Sequence, residues 1–244
     1  MRVAVISDIH GNLPALEAVL LDVGREPVDL IAVCGDVASG PLPVETLQVL
    51  RRLPDTRFVR GNADRSLVAG FDGTEKPRLQ GPGADWCAAQ LTREDRDFLA
   101  SFAETIAIEV GGLGRVLFCH GSPRSDEEIM TARTPDSRLG ELLAGVDADV
   151  VVCGHTHMPF DRMAGRVRVI NPGSVGMPYG DPGAFWAVLG PDVQFRRTDY
   201  DRQAAADRLR HSTWPGAEEF ARENVLTVPS VEAAMTFFTK VGGP

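Results

Sequence analysis

The feature that most constrains this chain is an alternation in its first third. A short β-branched run, "RVAVI", gives way to "LPALEAVLLDV", whose apolar residues recur at helical spacing. "LIAVC", "LPVETLQVLRRL" and "TRFVR" repeat the cycle. Strand, helix, strand, helix, strand implies a parallel sheet with right-handed crossovers. Asn12 stands where it can cap the first helix, and Pro14 is tolerated in its first turn.

Beyond this unit, "DWCAAQLTREDRDFLASF" divides into two helices at Thr92, a good N-cap. "TIAIEV" and "RVLFC" read as a hairpin across "GGLG". "SRLGELLAGV" reads as a helix and "DVVVC" as a buried strand. "RVRVI", "AFWAVLG" and "VQFRRT" read as three more strands between Gly and Pro turns. Two helical stretches, "RQAAADRLR" and "VEAAMTFFTK", follow, joined by a linker containing Pro and Gly. The class is α/β, with two sets of strands and enough helices to cover two packed sheets from outside.

Chemistry-bearing residues sit just past the strands. "RVAVI" is followed by Asp8 and His10, "LIAVC" by Asp36, and "TRFVR" by Asn62. "RVLFC" is followed by His120, and "DVVVC" by His155 and His157. In open α/β sheets, ligands bind outside the carboxyl ends of the strands. Two carboxylates, one amide and four imidazoles, with no thiolate, suit Mn²⁺, Fe²⁺ or Zn²⁺. Seven donors exceed what one open catalytic ion takes. They suit two ions sharing a carboxylate, roughly 3.5–4 Å apart.

Composition narrows the partners. The formal net charge is −9, which argues against a broad nucleic-acid-binding face; if the chain handles phosphates, the positive charge must be local, and bound metal ions could supply it. No apolar run is long enough to cross a bilayer, and "MRVAVISDIH" lacks the pattern of a secretory signal, so the cytoplasm is the expected location. None of the four cysteines forms a C-x-x-C pair; Cys34, Cys119 and Cys153 end apolar runs, where Cys packs as a small hydrophobe.

"SDIHGN", "GDV", "GNAD", "HGSP" and "GHTHMP", in that order, resemble the signature of the calcineurin-like metallophosphoesterases, in particular the small YfcE-like phosphodiesterase branch. The resemblance covers Arg2 to about Gly176 and includes "NPGSVG". It implies a four-layer αββα sandwich of two mixed sheets and a binuclear site. Asp8, His10 and His157 would bind one ion, Asn62, His120 and His155 the other, and Asp36 would bridge them. A metal-bridging hydroxide would attack phosphorus in line. Manganese is the expected metal, with Fe²⁺, Zn²⁺, Ni²⁺ or Co²⁺ as alternatives. Asp36, Asn62, His120 and Asp64 form the candidate catalytic set, Asp64 by supporting a ligand. Asn12, Arg65 and Arg124 are candidates for holding substrate.

One departure stands out. Many members have a histidine after the Asn of "GN", which contacts the scissile phosphate; this chain has Ala63. General acid assistance is worth about 10²–10⁴-fold, so nucleotide or aryl esters and pyrophosphate bonds should be cleaved better than alkyl esters. Residues 1–200 are expected to form the metallophosphoesterase domain, and 201–244 a helical extension that packs on it or mediates dimerisation. Residues 122–134 are the candidate lid, and Ser174 a candidate pocket or turn residue. His211 reads as a surface residue. The competing readings are a scaffold of the same fold, acting as a binding module, and a nuclease.

Overall fold

Strand β1 (Val3–Ile6) is buried along its whole length. A strand with two apolar faces needs a layer on each side. The computed structural model, which describes residues 1–74 and 83–242, supplies both. Val3 and Val5 enter a cluster with Leu30 and Ala32 of β2 (Leu30–Val33), Val116 and Phe118 of β5 (Gly114–Phe118), and Val150 and Val152 of β6 (Val150–Val152). Ala4 and Ile6, one residue out of phase, pack with Leu16 and Val19 of α1 (Leu13–Val23) and Leu47 and Leu50 of α2 (Pro43–Leu50). The period of two along one strand therefore builds two separate cores.

The first sheet runs β10–β9–β1–β2–β3, with β3 at Thr56–Phe58, β9 at Ala184–Leu189 and β10 at Val193–Thr198. β1, β2 and β3 are parallel, with Val3 opposite Leu30 and Ile31 opposite Thr56. β9 and β10 add antiparallel. The second sheet runs β4–β5–β6–β8–β7, with β4 at Ile106–Val110, β7 at Phe160–Ala164 and β8 at Val167–Asn171. Its three central strands are parallel and both edges antiparallel. Val151 and Val169 on its outer face pack against Leu139 and Leu142 of α6 (Asp136–Leu142). Helices, sheet, sheet and helices form the four-layer αββα sandwich of the metallophosphoesterase fold.

Local signals explain most elements. Asn12 caps α1 by accepting from the Ala15 N–H, and Pro14 sits in its first turn. Thr92 and Asp95 form a reciprocal capping box that starts α5 (Arg93–Ala100) after α4 (Ala84–Gln90). Such a cap contributes about 1 kcal/mol.

Three elements depart from the sequence reading. α3 (Asn62–Asp72) starts within "GNAD", so Asn62 is the first helical residue rather than a loop residue. Its cap is Gly61 in extended backbone, with Asp64 returning to the Gly61 N–H at 2.9 Å. Glycine carries no side-chain cap, so the start is silent in sequence. β7 was unmarked because its burial alternates along a sheet edge with charged residues. The C-terminal linker is largely helical: after α7 (Arg202–Arg210) come α8 (Ala217–Phe220), a π-helical turn (Ala221–Leu226) and α9 (Val231–Gly242). Ala205 and Leu209 pack with Phe220 and Val225, and Arg208 pairs with Glu17 of α1 at 2.6 Å. No helix among the described residues is long and apolar enough to cross a membrane. All four cysteines are buried and free.

Candidate metal centre

The site begins with backbone strain. Asp8, His10, Asp36, His155 and His157 all have positive φ, between 49° and 67°. Non-glycine residues rarely adopt this left-handed conformation, and it costs about 1–3 kcal/mol at each position. Among the described residues, only Asp55 of the other non-glycine positions does so. Each strained residue follows β1, β2 or β6, where the chain must reverse sharply at the sheet end. The bends aim five side chains inward. Gly35, at φ +89°, passes so close that a Cβ would lie 2.6 Å from the Gly61 nitrogen and 2.7 Å from Nδ1 of His120. A Cβ on Gly61 would overlap the Asp36 carboxylate.

The side chains form two clusters. Asp8, His10 and His157 make one, and Asp36, His120 and His155 the other; within each, the donor atoms lie within 4.8 Å of one another. Asp36 lies between the clusters, with Oδ2 3.3 Å from Nε2 of His120 and 3.8 Å from Nε2 of His10. Asn62 joins the second cluster, its Oδ1 3.0 Å from Nε2 of His120. Asp8 reaches Nε2 of His157 at 3.2 Å and accepts from the His155 backbone N–H.

The imidazoles are oriented from behind. Nδ1 of His10, His120 and His157 faces the carbonyls of Ser39, Cys34 and Met177 at 3.3, 2.7 and 2.8 Å. A carbonyl only accepts, so each Nδ1 carries the proton and each Nε2 faces the cluster, an arrangement typical of metal-bound histidine. Nε2 of His10 and of His157 then confront each other at 3.2 Å. Two lone pairs at that distance call for a shared proton or a cation between them. The donor set fits divalent ions on this ground.

Charge distribution gives the same picture. Burial opposes protonation of His120, but the Asp36 carboxylate overcomes it and lifts the imidazole to about 10. Burial and the neighbouring His120 push His155 down to about 4. Burial opposes ionisation of Asp36, yet His120 and His10 hold it well below the usual carboxylate range. Burial likewise opposes ionisation of Asp8, and His157 reverses the balance.

The supporting residues act through this frame. Asp64 is fully buried and accepts from the N–H groups of Asp36, Val37 and Gly61, each at 2.9 Å. It ties the Asp36 turn to the start of α3; burial, with the Asp36 charge beside it, raises its carboxyl to about 7. Ser174, also buried, donates to the Asp8 carbonyl at 2.7 Å. Asn12 is buried, capping α1 and donating to the Gly176 carbonyl at 3.0 Å. Arg65 turns to Asp126 and Glu127 at 2.8 and 2.6 Å, and Arg124 to Glu128 at 2.6 Å. These ion pairs occupy both guanidinium groups, and neither arginine lines the cavity beside Asp36. They tie down segment 122–134, the candidate lid. His211 is exposed at the end of α7.

Two contributors escaped the sequence reading. Asn171, at the end of β8, donates to the Gly154 carbonyl at 2.6 Å and to Thr156 at 3.1 Å, fixing the "GHTH" turn. Its signal was its place in "NPGS", directly after a strand. Tyr179 stacks on His157 with ring centroids 5.7 Å apart.

A cavity of about 390 Å³ opens on the site. His10, Asp36, Asn62 and Ala63 line it, together with Trp214, Phe220, Glu223 and Asn224 of the C-terminal segment.

Residues 1–191 match the calcineurin-like phosphoesterase superfamily domain, and the chain belongs to that superfamily, whose members use divalent metal ions. It is 30% identical over 242 residues to the uncharacterised Methanocaldococcus jannaschii protein MJ0912, a match covering 89% of this chain and 97% of that protein. It is 28% identical over 204 residues to the phosphodiesterase YfcE of Escherichia coli, covering 79% of this chain and 89% of YfcE. The crystal structure of a metallophosphoesterase from Sphaerobacter thermophilus superposes with a TM-score of 0.73 at 29% identity, over 93% of this chain and all of that one.

Proposed function

We propose that this protein is a binuclear metal-dependent phosphodiesterase acting on a small phosphate ester. The observation that carries the reading is the pair of donor clusters, with Asp36 of one 3.8 Å from His10 of the other, and with His10, Asp36 and Asn62 lining a 390 Å³ cavity. Asp8, His10 and His157 would hold one ion, Asn62, His120 and His155 the other, and Asp36 would contribute to both. Manganese is the first metal to test, with Fe²⁺, Zn²⁺, Ni²⁺ and Co²⁺ as alternatives. Bound ions supply Lewis acidity toward phosphoryl oxygens and a nucleophile at neutral pH.

The chain's own groups do the rest. Asp64 and Ser174 hold the Asp36 and Asp8 turns, so the donors need little rearrangement when a substrate arrives. The N-terminus of α3 opens on the cavity at Asn62 and Ala63, where its partial positive charge favours a phosphoryl group. Ala63 contributes its backbone, donating to Asp36 Oδ1 at 2.8 Å, and offers no proton to a leaving group. Good leaving groups, aryl or nucleotide, are therefore favoured over alkyl ones. Residues 201–242 form an extension packed on the domain, and its Trp214, Phe220 and Glu223 shape this cavity.

The test compares bis(p-nitrophenyl) phosphate with p-nitrophenyl phosphate, with Mn²⁺, with EDTA, and in Asp36→Asn. The expected result is metal-dependent turnover, faster on the diester, abolished by EDTA and by the substitution. No metal-dependent turnover of either ester would defeat the reading.

A further inference from the structure

We infer that the cavity wall formed by Trp214, Glu219, Phe220, Glu223 and Asn224 is a subsite for a cationic organic group, the ammonium-bearing alcohol portion of a phosphodiester. The inference rests on the phosphodiesterase reading and adds the class of substrate.

The cavity lining is of two unlike kinds: candidate metal donors His10, Asp36 and Asn62, and, from the C-terminal segment, Trp214, Glu219, Phe220, Glu223 and Asn224. Trp214 is held rigidly. Its indole N–H donates to the Gly83 carbonyl at 3.2 Å, and its ring meets Phe220 edge-on at 5.8 Å. A Cβ on Gly83 would run into the indole, and one on Gly216 would lie 2.7 Å from its ring. With its only hydrogen-bond donor engaged, the indole offers the cavity an apolar, electron-rich surface, the kind that attracts alkylammonium groups.

Charge selects in the same direction. Glu219 and Glu223 lie one helical turn apart where α8 passes into the π-helical turn, a backbone irregularity often found at functional sites. Glu223 pairs with Arg222 at 2.7 Å, whereas Glu219 has no ion pair among the described residues. No Lys or Arg among the described residues lines the cavity. A polyphosphate chain would set further anionic groups against two carboxylates. A zwitterionic diester would place its phosphate on the metals and its cation against the indole and the carboxylates.

The experiment uses two p-nitrophenyl diesters. One carries choline; the other is its neutral isostere, with carbon in place of the ammonium nitrogen. The leaving group is the same, so the ratio of their kcat/KM values reads the subsite alone. The expected ratio favours choline by about tenfold or more in the wild type. It falls toward unity in Glu219→Gln/Glu223→Gln and declines in Trp214→Leu. A wild-type ratio near unity, or a ratio unchanged in the double variant, overturns the inference. Calorimetric binding of both esters in EDTA separates the two claims. A preference for the cation in a protein that hydrolyses neither ester keeps the subsite and removes the phosphodiesterase reading. Equal binding by an active enzyme removes the subsite alone.

Discussion

The ring of loops at the sheet ends and the wall built by the C-terminal segment face the same cavity but are made differently. The ring is held by backbone: five donor residues sit at positive φ, and buried hydrogen bonds from Asp64, Ser174 and Asn171 fix the turns. The wall is held by side chains. Trp214 rests on glycines and Phe220, and Glu219 and Glu223 stand exposed around it. Strain of this kind persists only where the surroundings over-determine the geometry. The two central parallel strand sets provide that for the ring. We propose that the ring sets the reaction type and the wall the choice of substrate.

The largest effect should come from breaking the ring at its centre. Asp36→Asn removes the charge common to both clusters and should lower kcat by at least about 10²–10³-fold, the scale of losing one electrostatic contact at a reacting centre. Steady-state kinetics at saturating Mn²⁺ checks this. A loss under tenfold would mean that Asp36 is a turn residue. Next comes Asn171→Ala, one shell farther out. Its amide orders the "GHTH" turn, so metal affinity should weaken roughly 10–100-fold while the fold is retained. Metal titration with circular dichroism on the same sample decides it; unchanged affinity would detach Asn171 from the site.

Gly83→Ala sharpens the contrast from the other side. It displaces Trp214 and should raise KM for preferred diesters several-fold, within roughly the 1–3 kcal/mol that displaced packing costs, with metal content unaltered. If metal content fell as well, wall and ring would be one unit.

The smallest expected effect is a proton count. His120, lifted to about 10 by Asp36, holds a proton in the metal-free protein at neutral pH, and Asp8 raises His157 against the effect of burial. An ion bound at His120 must expel its proton. Affinity should therefore rise with pH up to the region near 10. In the metal-free protein, the stability that His120 contributes is full below its ordinary value of 6.5 and is lost as pH rises through about 10. Calorimetry in buffers of different ionisation enthalpy measures the release. Binding without proton release would contradict this protonation pattern.

The ring was legible in the sequence because each donor follows its strand directly. A local pattern, apolar run then Gly with Asp, Asn or His, carries the information. The two cores were legible in outline from the same runs. The wall was not. Trp214 and Glu219 reach the cavity through tertiary packing of α7, α8 and the π-helical turn, which no local spacing announces. Arg65 and Arg124 show the same limit: the sequence placed them after metal motifs but did not announce their ion pairs with Asp126, Glu127 and Glu128, all in one loop. The start of α3 stayed hidden because its cap is a glycine and its closing carboxylate, Asp64, also serves the Asp36 turn.

The central claim is that two ions share one carboxylate, with His155 and His157 assigned to different ions. Metal content by mass spectrometry in wild type, His155→Ala and His157→Ala tests it most directly. Reconstitution with Mn²⁺ alone and with a mixture of Mn²⁺ and Zn²⁺ shows which position empties. The account predicts two ions per chain in the wild type and about one in each variant, with the retained ion in a different environment in each. One ion in the wild type, or the same ion lost from both variants, would contradict it.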